Sequence, residues 1–175
     1  GDSLPRIREI RSRNGVLRAA LTASAGSAPI DGTMTAGLWT YGGSFVGPCL
    51  RLAPGDRMDL TVRNGVTVPI NTHFHGFWVD PSGDGDNVFI EAEPGASLRS
   101  RFELPPTHPG GLYWYHSHVH GYTNESVWNG LSGPIVVEGG IEKLPQYRGC
   151  RDRLLVFKNF SLDPAAPVPT LMPVE

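Results

Sequence analysis

Five of the six histidines of this 175-residue chain fall in two short segments. Asn71-Thr-His-Phe-His-Gly76 carries His73 and His75, and Gly111-Leu-Tyr-Trp-Tyr-His-Ser-His-Val-His-Gly121 carries His116, His118 and His120. Both segments read as strands. Along a strand, residues i and i+2 share a face, about 6.5–7 Å apart at a rise of roughly 3.2–3.4 Å per residue. A pair so spaced reaches one ion only by bending inward, and more easily places one imidazole on each of two neighbouring ions. Two such pairs on adjacent strands would bring four imidazoles to one small volume. Imidazole suits copper, zinc, iron and nickel. Dense histidine without thiolate or carboxylate in the same motif leans to copper, with His73, His75, His116 and His118 as the ligands.

The other histidines read differently. His108 lies in the rigid turn Pro105-Pro-Thr-His-Pro-Gly-Gly111 and is expected to be solvated. His120 shares a face with His116 and His118, but strand ends splay outward, so it is expected outside the site. Phe74, Phe77, Trp78, Tyr113, Trp114 and Tyr115 are expected as core. Cys49 and Cys150 are either one disulfide of an exported protein or two buried thiols.

The elements that position these residues are short strands. Arg57 to Asn64 alternates, with Met58, Leu60 and Val62 opposite Arg57, Asp59, Thr61 and Arg63, as a half-buried antiparallel strand does. Ser97 to Leu104 alternates in the same way. Val16 to Ala25, Met34 to Tyr41, the segment from Cys49 and Leu131 to Glu138 complete the strand set. Ser24 to Thr35, Asp80 to Asn87 and Tyr122 to Asn129 read as loops, and Asn64-Gly65 as a turn. Residues 1–14 read as a solvated arm or edge strand. With 22 glycines and 16 prolines and no convincing amphipathic helix, the fold class is all-β: an antiparallel β-sandwich or barrel with Greek-key links.

Lys+Arg 15 against Asp+Glu 17 is near balance and points to no nucleic acid. No basic run or stretch of about 18 apolar residues points to a membrane. Residues 1–142 are expected to form one domain. From 143 a basic linker leads to an apolar strand, Leu154–Phe160, and a proline-rich tail. That strand needs a neighbour, which points to a following domain or a partner subunit. The first residue, Gly1, points to a chain processed or cut from a longer one.

His73-Phe-His-Gly76 and Trp114-Tyr-His-Ser-His118 resemble the two N-terminal copper motifs of the multicopper oxidases, the laccase-like family. Gly43-Ser-Phe-Val-Gly-Pro48 with Leu52-Ala-Pro-Gly-Asp56 resembles the stretch preceding them. Gly130 to Glu138 resembles the closing strand of the first cupredoxin domain, and Arg153 to Leu162 the opening strand of the next. The resemblance implies a cupredoxin-like Greek-key sandwich. It also implies a share in a trinuclear copper cluster that reduces dioxygen to water. On it, His73 would bind the type 2 copper, His75 and His116 would share one type 3 copper, and His118 would bind the other. An acidic residue after the first motif would deliver protons; Asp84 falls at that place, with Asp80 and Asp86 nearby. The family is commonly exported, so a secreted or periplasmic location is expected.

The family also requires a His-Cys-His strand that links a type 1 copper to the cluster. Neither Cys49 nor Cys150 lies beside a histidine. The chain is therefore expected to be the N-terminal domain of an oxidase, inactive alone. The remaining ligands would come from other domains or a second subunit. Dioxygen and a small reducing substrate would be the reactants. The alternatives are a stand-alone copper-binding carrier or sensor, or a homo-oligomeric copper protein.

Overall fold

The structure, a computed structural model, describes residues 6–173. Among these residues nine strands form two sheets around the larger of two cores. The strands are β1 (Glu9–Arg11), β2 (Val16–Ile30), β3 (Thr33–Tyr41), β4 (Cys49–Leu52), β5 (Arg57–Gly65), β6 (His73–His75), β7 (Ser97–Glu103), β8 (Gly111–His116) and β9 (Ser132–Val137). One helix, α1 (Thr123–Asn129), lies between β8 and β9. One sheet has the order β1-β4-β9-β8-β6 and the other β3-β2-β5-β7. The expected β-sandwich is present. The sheets are mixed rather than antiparallel, because β1 with β4, β4 with β9 and β2 with β5 pair in parallel.

The alternation read along Arg57–Asn64 is the observed burial of β5: Met58, Leu60 and Val62 are buried and Arg57 and Arg63 exposed. In β7, Leu98, Ser100 and Phe102 face inward in the same way. These side chains meet Leu50, Leu52, Phe74, Tyr115, Ile135 and Val137 from the histidine-bearing sheet, so the sandwich closes on side chains from both inner faces.

Three loop assignments change. Ser24–Thr35 is not a loop: β2 runs to Ile30, and Asp31-Gly32 turns it into β3. Their φ values of +48° and +75° suit a two-residue hairpin turn, and small side chains leave the ladder bonds of the strand intact. Asn64-Gly65 closes no hairpin. It is the end of β5, where the Asn64 amide binds the carbonyls of Val68 and Ala92. The segment Tyr122–Asn129 contains α1, two turns long and too short for a periodic stripe, and Gly130 at φ +123° ends it.

Leu154–Phe160 takes no strand partner in the described residues. The tail beyond it folds back through a Leu162–Leu171 bridge and bonds between Leu171 N–H and Ala36 O and between Trp128 Nε1–H and Met172 O. Leu171 is buried there against Ala28, Leu38 and Phe45. Cys49 is buried and Cys150 exposed, and both are free thiols. Among the described residues no helix is long and apolar enough to cross a membrane.

Candidate metal centre

β6 and β8 pair antiparallel, with His73 opposite His116, Phe74 opposite Tyr115 and His75 opposite Trp114. Phe74 and Tyr115 point into the core at 0% and 1% exposure. The alternation of the pleat therefore turns His73, His75 and His116 to the other face together. Their ligating nitrogens all lie within 4.8 Å of one another. His118 follows the end of β8, and its ring centroid is 5.2 Å from that of His73 and 5.5 Å from that of His116. Three of the four histidines singled out by spacing thus bring their nitrogens together, and the His118 ring lies beside them. The strand itself stops at His116, so the alternation does not carry His120 in, and His120 is exposed.

Each ring is held by its own device. Asp86 Oδ1 lies 3.0 Å from His73 Nδ1 and also accepts the Phe74 N–H at 3.0 Å. A carboxylate that accepts both bonds places the proton on Nδ1 and leaves Nε2 of His73 bare. His116 Nδ1 lies 2.9 Å from the Ser117 carbonyl, which can only accept, so its Nε2 is bare too. That Nε2 is buried and has no hydrogen-bond partner among the described residues. Burial lowers the His116 pKa to about 4, which holds the ring neutral and competent as a ligand. The backbone N–H of His118 donates to Asn71 Oδ1 at 2.6 Å, while the Asn71 amide donates to Val88 O at 2.9 Å. Asn71 is fully buried and ties the His118 segment to the loop after β6. Gly76, at φ +92°, lets the chain leave β6 beside Tyr113, whose ring would lie 3.0 Å from an added Cβ.

The acidic loop differs in detail from the expectation. Asp84 is exposed, its carbonyl accepts the Arg101 N–H, and its charge acts on Arg99. Asp80 bonds Ser82 at the surface. Asp86 alone of the three touches a histidine of the cluster. The signal that could have found it is its place beside Asn87 at the end of the loop that returns toward β6. His108 is not solvated but 3% exposed: its Nε2 accepts the Trp78 N–H at 3.3 Å, and its ring packs on Phe77 and Tyr113. The prolines around it fold the turn over the ring instead of into water. Trp78 and Trp114, expected in the core, are 64% and 36% exposed. Phe74 and Tyr115 are core residues, and Phe77 and Tyr113 are half-buried against the core.

A two-sheet sandwich with imidazoles gathered on a strand pair is a cupredoxin-like β fold whose donor set suits a transition metal. A family profile for multicopper oxidases matches residues 22–141, and the chain belongs to that family. The multicopper oxidase mco of Staphylococcus haemolyticus is 28% identical over 128 residues, which are 73% of this chain and 28% of that protein. A multicopper oxidase from Campylobacter jejuni, described as a metallo-oxidase, superposes with a TM-score of 0.66 at 28% identity. It covers 79% of this chain and 29% of its own. The multicopper oxidase McoA of Aquifex aeolicus shares the fold over 98% of this chain, with a TM-score of 0.77 at 22% identity. The chain therefore spans less than a third of the relatives from Staphylococcus and Campylobacter.

Proposed function

We propose that this chain supplies the first half of the ligand set of a trinuclear copper centre. In this reading His73 serves the type 2 copper, His75 and His116 together serve one type 3 copper, and His118 serves the other. The observation that carries the reading is the convergence of three bare imidazole nitrogens within 4.8 Å, with His116 Nε2 buried and unpartnered. A buried imidazole nitrogen without a hydrogen-bond partner is the state a metal ligand is in before its ion binds. Copper held there would supply one-electron redox chemistry between a reducing substrate and dioxygen.

The chain's own residues do the rest. Asp86 fixes the His73 tautomer, the Ser117 carbonyl fixes that of His116, and Asn71 holds the backbone of His118. Asp84 keeps the proton-delivery role that the family motif gives it, and Asp86 is the carboxylate that holds a ligand ring. The remaining ligands and the type 1 site belong to further domains or a second subunit, since no cysteine of this chain adjoins a histidine. A site outside the cytoplasm suits this assembly.

The test is oxygen uptake. The 175-residue chain loaded with copper is expected to bind the ion and to consume no dioxygen in the presence of a reducing phenol. The longer polypeptide containing it is expected to consume dioxygen. Sustained uptake by the chain alone would overturn the half-site reading. Unaltered copper binding after replacing both His116 and His118 by alanine would overturn the ligand assignment.

A further inference from the structure

We propose that Trp114 is the positioning residue for His75 and His116, the indole serving as one flat backstop for both imidazoles. The proposal rests on the copper reading for its purpose, but the ring packing it describes is a property of the metal-free chain. Trp114 stands opposite His75 in the β6–β8 pair and precedes His116 by two on the same strand face. Its ring centroid lies 4.1 Å from that of His116 with the planes 22° apart, and 5.1 Å from that of His75 with the planes 26° apart.

The restraint matters most at His75. β6 is the outermost strand of its sheet, His75 is exposed, and among the described residues its ring nitrogens make no hydrogen bond. His73 has Asp86, His116 has the Ser117 carbonyl, and the His118 backbone is tied to Asn71. Beside tilted contacts with the His73 and His116 rings, stacking on Trp114 is the restraint left to His75.

Stacking is also the kind of restraint a ligand tolerates. The donor lone pair of an imidazole lies in the ring plane. An indole against the ring face fixes that plane and leaves the donating edge clear. A metal-bound imidazole is electron-poor, so its attraction to the π face of the indole grows on binding. Trp114 also lines a groove of about 490 Å³ with Tyr113, Trp128 and Phe157, and so stands at the boundary between that groove and the two rings.

The experiment uses the 175-residue chain in its wild-type, W114A, W114F and L112A forms. Leu112, 72% exposed on the same strand, serves as the control. Long-range 1H–15N spectra of the metal-free imidazoles are recorded first, then equilibrium dialysis against Cu(II). Wild type, W114F and L112A are expected to show one tautomer for His116 and one ring orientation for His75, the latter read from nuclear Overhauser contacts of its ring protons with the His73 and His116 rings. W114A is expected to show averaged His75 signals and roughly ten-fold weaker Cu(II) binding, the scale at which orienting groups act on metal ligands. Wild-type ring signals and wild-type affinity in W114A overturn the proposal. Should W114A not fold, W114L keeps apolar bulk without a flat face, and wild-type ring signals in folded W114L overturn it equally. If the wild type binds no Cu(II) while W114A still loses ring order, the positioning stands and the copper reading falls.

Discussion

At His116 the fold buries a titratable ring, and the desolvation that results pushes its pKa from the ordinary 6.5 down to about 4. The folded pKa lies below the unfolded one. Between about pH 6.5 and 4 the unfolded chain therefore binds a proton that the folded chain refuses, and stability falls as pH falls through that window. Above pH 6.5 the ring is neutral in both states and contributes no slope. The loss for the metal-free chain is on the order of 3 kcal/mol. Urea unfolding at pH 4.5 and 7.5 measures it, and H116Q is expected to remove most of the difference. Asp86 gives a second prediction at this scale. D86N exchanges an obligate acceptor for an amide and frees the His73 tautomer; copper affinity is expected to drop about ten-fold or more, while D84N leaves it unchanged in the same dialysis. His73, His75 and His116 were legible together because alternation on paired strands is a local pattern with a fixed geometry, whereas His118 lies past the end of β8. Asp86 and Asn71 were not, because each acts across a loop closure between 13 and 47 residues wide that periodicity does not describe. His108 was misjudged because the turn residues around it were weighed and the cover they form was not.

β8 and β9 show how an element makes room for its neighbour's side chain. Tyr115 is paired with Gly133, and a Cβ at Gly133 would sit 2.4 Å from the Tyr115 ring. The same ring leaves Gly47 no space for a side chain, and its hydroxyl donates to Pro48 O at 2.9 Å. Tyr115 lies between His116 and Trp114 in sequence, so its seat sets the height of the histidine face. G133V is expected to cost about 1–3 kcal/mol or more through forced repacking, read as a lower urea midpoint at unchanged slope. Alternation made β5 and β7 readable, since half-buried strands carry a period of two. β2 beyond Ala25 was unreadable because Ala, Gly and Ser carry no face signal, although their backbone bonds to β3 hold the strand as firmly. α1 escaped for the opposite reason: seven residues are fewer than the pattern needs.

For the molecule as a whole, two cores of unequal size are present. The larger fills the sandwich; the smaller gathers Ala28, Leu38 and Phe45 under Leu171, with Phe160 edge-on to Phe45 at 5.5 Å. L171A is expected to lower stability by about 2–4 kcal/mol, the usual cost of emptying a buried leucine site, measured by urea unfolding. The proline-rich tail gave no hint of this, because its partners lie over a hundred residues earlier at β3. Two of the clustered histidines, His73 and His75, by contrast, sit on β6, a three-residue strand at the edge of its sheet, on either side of the core residue Phe74. An edge of that kind has a consequence for assembly. The outer flank of β6 has no neighbouring strand among the described residues, so a further element reaches His73 and His75 there without parting the two sheets.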